Sequence, residues 1–173
     1  KLSVLILVSF ILSLQLVSCG NSASDEKEFL QRAKDYRESR ELIAATIELK
    51  NILISNPKNA EARFLLGRIK LEQGDVATAE KETRRAQEAG WNEASSQQQL
   101  AEALLRQGKF DELLEEIRVK DQYPVEVQSE LLGLRTAAYT SLDKWDDAIE
   151  ETAAGDQIYP EALWLILARA RIA

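Results

Sequence analysis

Carboxylates are the most abundant chemical groups in this chain. Asp146 and Glu150, like Asp147 and Glu151, are spaced four apart, and on a helix that spacing puts both members on one face. Such a face could hold a divalent cation or work as an acid/base pair. The plainer reading is a solvated acidic helix side, and Glu115-Glu116 reads the same way. Glu80 and Arg84, also four apart, read as an ordinary surface ion pair. The chain has no histidine, which removes Ser-His-Asp and Cys-His nucleophile systems and the common zinc sites. No GxxxxGK[ST] phosphate loop occurs; Gly67 and Gly74 read as packing and turn residues. Trp91, Trp145 and Trp164 could form a sugar-stacking platform. Trp145 and Trp164 fall at helix-packing positions, however, which points to the core, and Trp91 is the least constrained of the three. The expectation is a non-enzyme with no cofactor, no metal and no small-molecule substrate.

The one cysteine, Cys19, follows an apolar run from Leu2 to Val17 that is broken by Ser3, Ser9, Ser13 and Gln15. The run is short for a membrane-spanning helix, which needs about 20 apolar residues. A basic Lys1, an apolar centre and a small-residue exit read as a signal peptide over 1–18. The exit, Leu16-Val17-Ser18-Cys19-Gly20, resembles the lipobox of bacterial lipoproteins. That resemblance implies cleavage before Cys19 and acylation of it, hence a membrane partner through the acyl chains. Gly20 rather than Asp follows the cysteine, which by the same resemblance favours the outer membrane, facing the periplasm. Net charge is -7; removing Lys1 leaves 21 basic against 29 acidic residues. The basic residues are scattered, whereas nucleic acid needs a clustered basic footprint, so no nucleic-acid partner is expected.

The elements that would position any site are helices in pairs. From Ala60 to Gly90 two amphipathic patterns meet at Gly74-Asp75. The first carries Phe64, Leu65, Leu66, Ile69 and Leu71, and the second Val76, Ala77, Ala79, Ala86 and Ala89. One such pair is too thin to bury its own apolar face and needs similar pairs beside it. The chain supplies them at a period of about 34 residues. The turn recurs as Arg40-Glu41-Leu42, Gly74-Asp75-Val76, Gly108-Lys109-Phe110 and Asp143-Lys144-Trp145. Ala45, Ala79, Leu113 and Ala148 mark one position through four pairs. Pro57, Pro124 and Pro160 each fall where a second helix should stop, and Gly90-Trp91 supplies a glycine C-cap in place of the missing proline.

Periodicity predicts helices over 26–39, capped by Asp25, 41–55, 60–73, 76–89, 110–120, 125–142 and 145–157. A polar start precedes Leu100, Ala101, Leu104 and Leu105 in the third pair. The 41–55 helix is expected to pack through Leu42, Ile43, Ile47, Leu49, Ile52 and Leu53. The organisation expected is a signal peptide (1–18), a lipid-attachment cysteine with flexible linker (19–25), and about four and a half repeats: 26–59, 60–93, 94–127, 128–160 and a partial 161–173. The start at Lys1 without methionine and the end inside an apolar pattern suggest a fragment. No strand alternation is visible; the fold class expected is all-α.

This pattern resembles the tetratricopeptide repeat, Trp-x2-Leu-Gly-x2-Tyr, then Ala-x3-Phe, then Pro. Leu66-Gly67 sits at the Leu-Gly position, and Tyr36 and Tyr139 at the Tyr position, where Lys70 and Leu104 depart. Ala45, Ala79 and Ala148 sit at the small-residue position, where Leu113 departs. Trp164, Leu167 and Ala168 open a fifth unit. The resemblance implies a right-handed superhelical solenoid of antiparallel helix pairs, its concave groove lined by the first helix of each pair. It further implies that Lys34, Arg37, Phe64, Arg68, Leu71, Gln98, Glu102, Leu105 and Arg106 point into that groove and bind protein partners. The mix does not match a chaperone-binding carboxylate clamp.

The stretch from Ala44 to Gly90, with the lipobox, the Ser-rich linker and Ile47-Glu48-Leu49-Lys50-Asn51, is similar to the PrsT family, the tetratricopeptide-repeat lipoproteins of the PEP-CTERM and exosortase system. That family is several times longer, and Lys70 and Arg40 depart from its aromatic and glycine. The resemblance implies a lipid-anchored scaffold beside exopolysaccharide production and protein sorting in a Gram-negative envelope. Two other readings stay open. One is an outer-membrane assembly lipoprotein serving pilus or barrel-protein assembly. The other is the N-terminal repeat region of a larger envelope enzyme.

Overall fold

The structure, a computed structural model, describes residues 22–161 and 163–172. The apolar leader and Cys19 lie outside the described residues, as do the side chains of Trp164 and Ala168. Among the described residues every element is a helix. They are α1 (Ser22–Glu38), α2 (Leu42–Ser55), α3 (Ala60–Glu72), α4 (Val76–Glu88), α5 (Glu93–Arg106), α6 (Phe110–Glu116), α7 (Val125–Ser141), α8 (Trp145–Ile158) and α9 (Leu163–Ile172). α1/α2, α3/α4, α5/α6 and α7/α8 are hairpins, each packed on the next, and α9 lies against α7 and α8. The result is a helical solenoid.

The hairpin turns share one backbone device. Arg40, Gly74, Gly108 and Asp143 have φ of 63°, 80°, 73° and 57°, the left-handed region. Each turn closes by the same two bonds, as where Gly74 N–H donates to Leu71 O at 3.0 Å and Asp75 N–H to Lys70 O at 2.9 Å. This doubly bonded C-cap satisfies carbonyls that the helix end leaves open. Two of the four turns thus hold a side chain where glycine costs nothing. Gly90 ends α4 in the same way, with φ of 85° and Trp91 N–H donating to Ala86 O. On the entering side, Asn59, Asp75 and Asn92 accept from Ala62, Thr78 and Ser95 N–H and cap α3, α4 and α5.

Packing follows the same period. Ala45, Ala79, Leu113 and Ala148 are all fully buried. Gly67 shows why one helix crossing tolerates no side chain. A Cβ there would collide with the Gln99 amide nitrogen and come within 2.9 Å of Thr83 Oγ1. Gln99 is fully buried; its amide donates to Thr83 Oγ1 at 2.7 Å and to Phe64 O at 3.2 Å. One amide therefore ties α5 to both members of the preceding hairpin, through the space that glycine leaves.

Several expectations are corrected. α1 starts at Ser22 and takes Asp25 into its first turn instead of using it as the cap, a place where a carboxylate suits the helix dipole. α6 stops at Glu116 rather than running to 120. Arg135 of α7 explains this by donating to Ile117 O at 2.9 Å and Leu114 O at 3.3 Å, while Ile117 turns to extended angles and is fully buried. In α2, Leu49 and Ile52 are buried as expected, but Ile43 and Ile47 are exposed: the stripe is wider than the neighbours that cover it. Trp145 opens α8 exposed instead of packing in the core, because Ala148 holds the crossing without it.

Candidate functional site

The first helices of the hairpins, α1, α3, α5 and α7, carry the residues expected to bind a partner. Position 34 recurs at 68 and 102, so Lys34, Arg68 and Glu102 occupy one register on the first helices of three successive hairpins. All three are half-buried. Lys34 Nζ pairs with Glu61 of α3 at 2.7 Å, and Arg37 Nε donates to Glu72 Oε1 at 2.7 Å. Two ion pairs therefore bridge α1 to α3 on this side.

Further along, the pairing loosens. Arg68 reaches Glu102 only at 4.0 Å. Arg106 holds Glu102 at 3.3 Å and also donates to Leu71 O of α3 at 2.9 Å. Glu130 of α7 lies within the same field. Its carboxyl is pushed above the usual carboxylate range, first by burial and further by Glu102, with Arg68 opposing. The α5–α7 end of this face therefore sets Glu102 and Glu130 among Arg68 and Arg106, a surface of mixed charge.

The structure does not bring all nine residues to one surface. Leu71 is buried, packed with Ala79 and Ala103, so it is core, because α5 closes over it. Leu105 is half-buried against the core of the third and fourth hairpins. Phe64 is half-buried beneath Trp91; their rings stack at 5.3 Å and 26°. The turn after Gly90 folds Trp91 back over α3, which removes it as a free stacking platform. Gln98 is half-buried. The residues with accessible polar ends on this face are Lys34, Arg37, Arg68, Gln98, Glu102 and Arg106, joined by Glu130, which sequence reasoning missed. Its position in the register, 69 residues after Glu61, could have found it.

The carboxylate pairs divide. Asp146, Asp147 and Glu150 are exposed, whereas Glu151 is half-buried and takes Arg135 Nη2 at 2.6 Å. Among the described residues no group of three or more His, Cys, Asp or Glu side chains is placed to hold a metal ion. The Glu80–Arg84 pair proves to be the centre of a network between the second and third hairpins. Arg84 meets Glu80 at 3.0 Å, Glu112 at 2.6 Å and Glu116 at 2.7 Å, and Glu80 also takes Lys109 at 2.7 Å. Burial works against ionised Glu80, but hydrogen bonds from Lys109, Gln107 and Arg84 outweigh it and lower the carboxyl to about 2.

No known family profile matches the chain, and no curated protein matches it in sequence. Solved structures do match its shape. A tetratricopeptide repeat protein from Parabacteroides merdae superposes with a TM-score of 0.69 at 16% identity, covering 86% of this chain and 59% of that one. A MamA RS-1 double mutant superposes at 0.68 and 12% identity, over 90% and 94%. An O-GlcNAc transferase mutant from Thermobaculum terrenum gives 0.61 and 20%, over 82% of this chain but only 28% of its own length. YrrB, described as a tetratricopeptide repeat protein with an unusual peptide-binding site, gives 0.51 and 12%, over 88% and 100%. Identities this low speak for fold alone. With the recurring left-handed turn and alanine at three of the four crossings, they make this chain a helical solenoid with the fold of tetratricopeptide-repeat proteins.

Proposed function

We propose that this protein is a non-enzymatic scaffold that binds protein partners on its first-helix face and is held to a membrane by acylated Cys19. The observation that carries the reading is the register of Lys34, Arg68 and Glu102. Three successive repeats present a charged side chain at one position, half-buried, on one face. Such a ladder suits an extended chain or a helix laid across the repeats, met by one contact per repeat. The described peptide-binding site of YrrB, a protein of the same fold, supports the same class of partner. The lipobox-like exit at Leu16–Cys19 and the likeness of Ala44–Gly90 to exosortase-system lipoproteins support a finer reading. In it the protein sits at the periplasmic side of the outer membrane and serves exopolysaccharide production and protein sorting.

A pull-down from solubilised membranes with the full lipidated chain tests this reading. Wild type should retain a discrete protein partner that a Lys34→Glu/Arg68→Glu variant of unchanged helical content loses. Equal retention by both proteins moves binding away from this face.

A further inference from the structure

The outer faces of the second helices differ along the solenoid. In α2, Ile43, Ile47 and Ile54 are 76%, 54% and 80% exposed. Spaced four and seven apart, they form one stripe, about 16 Å long at 1.5 Å per residue, with exposed Lys50 between them. The same repeat positions in the later hairpins hold no large apolar side chain. In α4 they hold Ala77, Lys81 and Glu88; in α6 the first two hold Asp111 and Glu115; in α8 they hold Asp146 and Glu150, all exposed. The fold therefore gives water this face in every hairpin, and only α2 fills it with isoleucine.

We infer that the α2 stripe rests on a bilayer surface bearing anionic headgroups. Position argues for it first. Asn56 and Asn59 donate to Glu26 Oε2 at 3.2 and 2.8 Å, which fixes the Ile54 end of α2 beside the first turns of α1. Cys19 lies only three residues ahead of Ser22, so an acyl anchor there holds that end of the stripe at the membrane. Charge argues for it second. Exposed Lys50 lies within the stripe and exposed Lys58 beyond its Ile54 end, whereas exposed Glu38 and Glu41 are at the far end. Glu48 faces Arg32 at 3.0 Å on the other side of the helix. The acidic outer faces of α6 and α8 are repelled by the same surface, so the bilayer selects the first hairpin. A helix lying in the interface with an apolar face and basic flanks is the form that membrane surfaces take up. This inference rests on the proposed acylation of Cys19 for its geometry, and the test keeps the two apart.

The full chain is purified from membranes with an environment-sensitive fluorescent amino acid at position 47, or at 81 as control. It is then reconstituted into vesicles of equal parts phosphatidylethanolamine and phosphatidylglycerol. The label at 47 should emit bluer and lose most of its intensity when brominated lipid chains are included, while the label at 81 stays unchanged. The mass of residue 19 is read from the same sample. Acylated Cys19 with an unquenched label at 47 overturns the stripe and keeps the anchor. Unmodified Cys19 with a quenched label keeps the stripe and overturns the anchor. Blue emission that grows with protein concentration without lipid quenching assigns the stripe to a second copy and overturns the bilayer.

Discussion

Gly67 is the residue that lets α5 pack closely on the second hairpin. Any side chain there meets the Gln99 amide, whose bonds to Thr83 and Phe64 leave it nowhere to retreat. Gly67→Ala should cost about 1–3 kcal/mol by overpacking, read as a lower melting temperature with unchanged helical content. Ala79→Leu should cost a similar amount at the same crossing. The turns give a paired prediction of opposite sign. Arg40 holds the left-handed conformation at a steric cost, so Arg40→Gly should stabilise by about 0.5–1 kcal/mol, while Gly74→Ala, with no atom within 4 Å of its new methyl, should destabilise by about 1–2 kcal/mol through backbone strain alone. Glu80 makes a pH prediction. Its carboxyl is lowered from an ordinary 4.5 to about 2, so its share of stability is complete above the upper value and fades as pH falls through the lower. Glu80→Gln should cost about 1–2 kcal/mol at neutral pH, and chemical denaturation should show that gap closing below pH 4.5. A gap constant down to pH 2 contradicts the network. The sequence placed Glu80 beside Arg84 but did not show Lys109 arriving from the next hairpin, because contacts between repeats leave no mark on local spacing.

At the scale of the element, helices and turns were legible because each is set by its own period and its own caps. The turn register at 40, 74, 108 and 143 and the buried positions 45, 79, 113 and 148 can be read directly from residue types. What was not legible depended on neighbours. α6 carries an apolar pattern to Ile117, yet Arg135 from α7 takes up its last carbonyls and ends it early. Ile43 and Ile47 match a packing stripe by spacing, yet among the described residues no helix lies over them. Leu71 and Trp145 exchange the roles that the repeat pattern implied, the first buried and the second exposed. Arg135→Leu removes both the carbonyl cap and the ion pair to Glu151, leaving buried groups unpaired. It should cost about 2–4 kcal/mol and raise amide exchange first at residues 113–118. Uniform loss of protection across the chain would mean that Arg135 does not act through the α6 end.

At the scale of the molecule, the solenoid separates its surfaces by chemistry. The first-helix face carries a series of charged side chains, basic at α1 and mixed at α5, where Glu102 meets Arg68 and Arg106, while the second-helix face changes from isoleucine and lysine at α2 to exposed Asp146 and Glu150 at α8. Two differing faces suit the proposed scaffold, with its proposed lipid anchor at one end and another chain along its side. The account stands on the first-helix face being the one that meets the partner. Photo-crosslinking in intact cells addresses it most directly, with a light-activated amino acid at position 68 or 98 on that face and at position 115 on the outer face of α6. The account predicts one discrete crosslinked protein from 68 and from 98 that is absent from 115 and lost in the Lys34→Glu background. The same crosslinked protein from 115, with none from 68 or 98, would contradict it.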